Sequence, residues 1–352
     1  MLTGYGAMYL NDAIQQTPIK HYASRNEAAA PMMASAYSKL KGPIGAVCVT
    51  AGPGATNALP GLAEAWVDSS PIIVFSGQVE KKHTTNFLNI KGLRTYGTAE
   101  INIIDIVKSI TKFSAVINNP NDTRYFLEKA YHYATSGRPG PVWLDIPLDI
   151  QKAKIDFSKL KKFKTTENRN SIKKENATNK ISKTIKLLKN SKAPLIVCGQ
   201  GVRQSNAISE VKKIIKLVKA PVLFSRLGND IISHNSKYIF GLSGIKGSKY
   251  CKGITKKADV ILVLGSRLAI PFIGYKSEAF SKNAKIIMVD ADISELEKPL
   301  KLKLKIHSNI KDFLVQFEKK IKKTKLPNFN NWINYCENLK KRNPIITPSI
   351  KK

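Results

Sequence analysis

The chain has 352 residues, 43% of them hydrophobic, and a formal net charge of +33. The length suits two domains of ordinary size, and the apolar share excludes wholesale disorder. No apolar run approaches the roughly 20 residues of a membrane-spanning helix, and the basic excess is lysine spread along the chain without interleaved aromatics, so neither a membrane span nor a specific nucleic-acid site is expected.

In chain order, the opening Met1-Leu2-Thr3-Gly4-Tyr5-Gly6 lacks a basic stretch followed by a hydrophobic one, so no signal peptide is expected. A helix is expected over Glu27 to Leu40, then a buried strand over Gly45 to Thr50. Further strands are expected at Pro71 to Ser76 and Pro141 to Ile146, with a helix over Asp122 to Ala134 before the last. Each run is apolar on both faces and bounded by Gly or Pro, the pattern of parallel strands covered by helices on two sides. Residues 151–180 are rich in Lys, Asn, Ser and Thr and read as a linker. A second alternating block follows, with strands at Ala193 to Gly199, Pro221 to Phe224, Ala258 to Gly265 and Ala284 to Asp290, and a helix over Ala207 to Val218. Residues 327–352 hold one short helix around Trp332 to Leu339 and a Pro-containing tail. The fold class expected is α/β, with two open parallel-sheet domains over 1–150 and 181–326 that carry helices on both faces.

Four segments carry residues suited to chemistry. Ser24-x-x-Glu27 matches a capping box, and spacing alone favours that reading of Glu27. Thr50-Ala51-Gly52-Pro53-Gly54-Ala55-Thr56-Asn57 follows a strand and opens a helix, so a ligand could approach its backbone closely, or it could be a tight turn. It lacks the Gly-Lys-Ser/Thr of a phosphate loop and the third glycine of a dinucleotide fingerprint. Ser136-Gly137-Arg138-Pro139-Gly140-Pro141 is either a rigid turn or, through Arg138, an anion holder. Asp290-x-Asp292 ends a strand, where a helix cap or a ribose contact outranks a metal. The cysteines (Cys48, Cys198, Cys251 and Cys336) are too far apart for a metal pair, and three lie in or beside apolar runs, which fits a reducing, cytoplasmic setting.

Taken in order and spacing, these segments resemble the acetolactate synthase large subunit and its thiamine-diphosphate-dependent relatives. The likeness rests on Glu27, the Thr-x-Gly-Pro-Gly-Ala-Thr-Asn turn, Ser76-Gly77-Gln78-Val79, and the stretch from Ser136 to Pro147. In the second block it rests on Gly199-Gln200-Gly201, Leu264-Gly265-Ser266-Arg267-Leu268 and Val289-Asp290-x-Asp292. The resemblance implies a pyrimidine-binding domain at 1–150, incomplete at its N-terminus, and a Rossmann-like central domain at 181–326. It implies that 327–352 leads toward a further, diphosphate-binding domain, so that this chain is a fragment, inactive alone. It implies thiamine diphosphate as cofactor, with Glu27 as its activator and Thr50, Gly52, Pro53, Gly54, Asn57, Gln78 and Arg138 as binding residues. The magnesium ligands, a Gly-Asp-Gly and a later Asn, have no counterpart in this sequence and would belong to that further domain. FAD stays open, because members with and without it keep the arginine matching Arg138. The implied reaction is decarboxylation of a pyruvate-like 2-keto acid and carboligation, the transferase step of branched-chain amino acid biosynthesis. The implied partner is a second copy, as homodimer or tetramer, with the active site at the subunit interface. A non-catalytic or split-enzyme subunit is the alternative. The family's Gln-Glu pair lining the active site appears here as Ala99-Glu100.

Overall fold

Apolar runs bounded by glycine and proline become parallel strands in the computed structural model, which describes residues 1–41, 44–165, 174–276, 280 and 282–345. The chain divides into two compact units, Met1–Asn168 and Arg169–Lys352.

The first unit is built on β1 (Gly45–Val49), β2 (Ile72–Gln78), β3 (Phe113–Val116) and β4 (Val142–Pro147), in the spatial order β1-β2-β4-β3. Every pair is parallel, with Val47 opposite Val74 and Phe75 opposite Leu144. Successive side chains of a strand point to opposite faces. Ile72, Val74 and Trp143 therefore join one core with Val47, Val49 and Leu62, while Ile73, Val142 and Leu144 join another with Ile117, Ala130 and Ala134. Helices Ala29–Lys41 and Leu59–Asp68 cover the first face, and Thr123–Thr135 covers the second. Each fully buried Val, Ile or Leu contributes about 1.5–3 kcal/mol, so the double burial holds the strands in register.

The second unit orders its strands β10-β9-β8-β5-β6-β7, all parallel. Their ranges are β5 (Pro194–Cys198), β6 (Val222–Phe224), β7 (Ile239–Leu242), β8 (Val260–Leu264), β9 (Lys285–Asp290) and β10 (Leu302–His307). Ile196, Phe224, Leu262 and Ile287 pack with helices Lys174–Lys189, Ile208–Val218 and Ile310–Ile321 on one face. Leu195, Val197, Ile261 and Val263 pack with helices Lys249–Lys257 and Asn330–Arg342 on the other. Crossovers run in opposite directions from β5 and β8, so a topological switch point lies between them.

The linker and the last stretch can be set against the expectation. The linker expected over 151–180 is docked at both ends where it is described. Phe163 donates its backbone N–H to Glu128 and stacks edge-on to Tyr125, and helix Lys174–Lys189 already belongs to the second unit. Residues 166–173 of that linker lie outside the described residues. The short helix expected around Trp332 to Leu339 is present and longer, Asn330–Arg342, and its Trp332, Ile333 and Cys336 are buried. The Trp332 indole N–H donates to the Pro194 carbonyl at 2.9 Å, which ties that helix to β5. The last residues, 346–352, lie outside the described residues.

Candidate functional site

At the carboxyl end of β1 the chain turns through Gly52, at φ +57°, into a short helix over Pro53–Asn57. A side chain at Gly52 would lie 1.8 Å from the Ala99 carbonyl oxygen, so glycine is demanded by both conformation and space. Thr50 accepts a hydrogen bond from the Gly6 amide at 3.1 Å, and its methyl would lie 2.5 Å from a Cβ at Gly54. The same Cβ would sit 3.5 Å from Glu27 Oε1. Asn57 Nδ2 donates to Glu27 Oε2 at 2.7 Å. Glu27, Pro53, Gly54, Thr56 and Asn57 thus line one open cleft of about 610 Å³.

The capping box expected from Ser24 and Glu27 does not form. Helix Ala29–Lys41 begins two residues beyond Glu27, and the Ser24 amide donates to the Met1 carbonyl instead. Asn26 Oδ1 accepts from the Ala28 amide, closing the turn locally and leaving the Glu27 carboxylate to reach across to Asn57. Glu27 Oε1 has no hydrogen bond among the described residues.

The remaining candidates are elsewhere. Gln78 is buried, accepts from the Val79 amide, and donates to the Ile101 carbonyl at 3.0 Å and Asp145 Oδ2 at 3.2 Å. Arg138 donates Nε–H to Ser69 Oγ at 2.8 Å, at the end of helix Leu59–Asp68. Asp292 caps the turn Ile293–Leu296 by accepting from Ser294, and Asp290 accepts from the Asp292 amide. No group of three His, Cys, Asp or Glu that could hold a metal occurs among the described residues.

A second cavity, of about 380 Å³, opens at the carboxyl ends of β2, β3 and β4 and was not anticipated from the sequence. Asp145 and Glu100 lie in it, both buried. Ser76 donates to Asp145 Oδ1, and Trp143 Nε1–H in turn donates to Ser76. Burial pushes the Asp145 carboxyl up to about 7, the Ser76 and Gln78 hydrogen bonds oppose this, and the neighbouring Glu100 charge adds to it. Glu100 Oε1 accepts from Thr85 N and Oγ1, whereas the buried Oε2 has no partner. The available sequence signals were Glu100, the counterpart of the Gln-Glu pair that the resemblance implies, and a polar Asp in an otherwise apolar strand, Val142 to Ile146.

Comparison with known proteins bears on both units. Residues 1–106 match the family model described as thiamine pyrophosphate enzyme, N-terminal TPP binding domain, and residues 181–317 match thiamine pyrophosphate enzyme, central domain. The chain is 29% identical to the acetolactate synthase large subunit of Corynebacterium glutamicum over 330 residues, covering 93% of this chain and 51% of that one. It is 31% identical to the acetolactate synthase large subunit of Lactococcus lactis subsp. lactis over 349 residues, covering 98% and 58%. It is 30% identical to the probable acetolactate synthase large subunit of Methanococcus aeolicus over 345 residues, covering 94% and 55%. The chain spans about half the length of the curated relatives it matches.

Proposed function

Because this chain belongs to the thiamine pyrophosphate enzyme family, we propose that it supplies the pyrimidine-activating part of a 2-keto-acid decarboxylase and carboligase of acetolactate synthase type. The observation that carries this is the Glu27 carboxylate, held by Asn57 at 2.7 Å in an open cleft that it shares with Pro53, Gly54 and Thr56. An open cleft with a carboxylate oxygen free to bond fits a flat aminopyrimidine ring. When bound, thiamine diphosphate supplies a thiazolium carbon acid that becomes a nucleophile toward a 2-keto acid. Asn57 orients the carboxylate through Oε2, which leaves Oε1 to hold or return a proton at a ring nitrogen. Thr50, Gly52, Pro53 and Gly54 shape the floor, and Gln78 supports the neighbouring strand end.

The donor set described here does not fit magnesium, and no step is derived through it. We assign the metal and diphosphate to a further domain, in the same polypeptide or a partner. A Cβ at Gly199 would lie 2.2 Å from the Gly265 carbonyl oxygen, so these two glycine loops are fitted to each other. Arg138, engaged with Ser69, is read as a brace of the helix end. The free, buried thiols support a reducing compartment, the cytoplasm, and no helix among the described residues is long and apolar enough to cross a membrane.

The test is a thiamine titration of the full chain, observed by saturation-transfer NMR on the aminopyrimidine protons. Glu27→Gln and Asn57→Ala should weaken that signal while keeping the wild-type melting temperature; an undiminished signal in Glu27→Gln overturns the assignment. A split-enzyme subunit is the second reading, favoured by the half-length coverage of the relatives. Acetolactate formed from pyruvate only after adding a polypeptide with the relatives' remaining half would support it. Formation by this chain alone would exclude it.

A further inference from the structure

We propose that the layer of helices Lys174–Lys189, Ile310–Ile321 and Ile208–Val218 on the second unit is a docking surface for an anionic lipid bilayer, held at the headgroups by its outward lysines. It uses no residue of the Glu27 cleft and stands apart from the thiamine reading.

Charge distribution gives the first observation. Residues 169–352 hold 39 of the 58 basic residues and 12 of the 25 acidic ones, so 27 of the 33 net positive charges fall on the second unit. A lysine bias acting on the whole chain would load both units alike, whereas this asymmetry points to a partner of opposite sign for one of them. Placement gives the second. Ile181, Ile185, Val211, Ile214, Phe313 and Phe317 turn inward to the sheet, which leaves the lysines outside. The three helices contain eleven lysines, no arginine and four acids. Helix Ile310–Ile321 packs against both of the others. Its Lys320 donates to the Thr178 carbonyl and to Ser182 Oγ at 3.1 and 2.9 Å, and its Glu318, paired with Lys322 at 2.6 Å, also feels the Lys213 charge. The cations therefore form one array across the layer. On the other layer, the helix dipole accounts for lysines of a last turn such as Lys256, Lys257, Lys340 and Lys341. Lys183, Lys212 and Lys213 precede the last turns of their helices, where the dipole gives no reason for a cation.

The chemistry of the layer chooses the partner. Single-strand binding needs stacking aromatics and base reading favours arginine forks, and the outer side of this layer has neither. A duplex offers its phosphates along ridges, whereas three helices side by side spread cations over about 20 Å of width, which suits a planar array of headgroups. Lysine, a hydrated point charge on a flexible stem, meets diffuse headgroup charge without a fixed docking geometry.

The experiment sediments the full chain with vesicles of phosphatidylcholine alone and of phosphatidylcholine mixed with phosphatidylglycerol. The chain should partition onto the anionic vesicles only, and should leave them as salt is raised. Lys183→Gln, Lys213→Gln and Lys319→Gln together, one on each helix, should weaken the partition by roughly tenfold or more, since each lysine near an anionic surface contributes about fivefold. Lys249→Gln, Lys256→Gln and Lys257→Gln together make an equal charge change on the other layer and should leave the partition near the wild-type value. No partition onto anionic vesicles, or an equal loss in the two triple variants, overturns the proposal. So does tighter binding of mixed-sequence duplex DNA or poly-L-glutamate than of the vesicles through the same three lysines.

Discussion

Gly52 and Asp145 carry the sharpest residue-level consequences. Gly52 has both a left-handed backbone and a carbonyl oxygen where its Cβ would stand. Gly52→Ala should therefore cost about 2–4 kcal/mol in urea unfolding, combining backbone strain with overpacking. Asp145 shows a different effect. Its folded-state pKa is raised from 3.8 to about 7, first by burial, so the folded chain keeps a proton that the unfolded chain releases. Its contribution to stability is complete below the unfolded value and lost as pH rises through about 7. Stability of the wild type relative to Asp145→Asn should accordingly fall between about pH 4 and about pH 7 in a series of urea titrations. A flat difference across that window would refute the assignment. Glu27 was legible at this scale only by resemblance, because spacing alone favoured a cap. What redirected its carboxylate was the start of the helix at Ala29, four residues later than a capping box on Ser24 requires.

Among the elements, the helices of the first unit present a surface without a partner. Met33, Tyr37 and Leu40 recur at helical spacing on the outer side of Ala29–Lys41, and Trp66 and Val67 are exposed on the adjacent Leu59–Asp68. Exposed apolar groups in such a cluster favour covering by a second copy. Light scattering should give a dimer or larger, and Tyr37→Lys should shift it toward the monomer without lowering the helical signal. In the second unit, helix Asn330–Arg342 is anchored by Trp332, nearly buried and bonded to β5. Trp332→Ala should cost about 3–5 kcal/mol, read as an earlier denaturant midpoint for that unit. The strands read from the sequence are those with apolar residues on both faces, all of them interior except β1 at one edge of the first sheet. The strands β3, β7 and β10 were missed, and for β3 and β10 the physical reason is shared. Both lie at a sheet edge, where half-buried or alternating residues such as Lys303 and Lys305 suffice and the apolar run is broken, whereas the four-residue β7 is buried and interrupted by Gly241.

Across the whole molecule, all four cysteines are free and buried, and burial pushes the Cys48, Cys198 and Cys251 thiols up to about 11, 12 and 11. A thiol reagent should therefore react slowly with the native chain and fully once it is unfolded. Fast native labelling would contradict the packing. Local composition and periodicity were enough for the two-unit α/β architecture, because a parallel sheet covered on both sides needs continuous apolar strands that any reading of the chain can see. The order of the turn motifs was enough for the family. Tertiary structure alone revealed that Glu27 meets Asn57, that Gln78 and Arg138 serve other neighbourhoods, and that Glu100 and Asp145 share a cavity although 45 positions separate them in the chain. The reason is geometric. The loop ends of a parallel sheet gather residues from distant crossovers at one edge, and nothing in a linear pattern records which side chains find each other there.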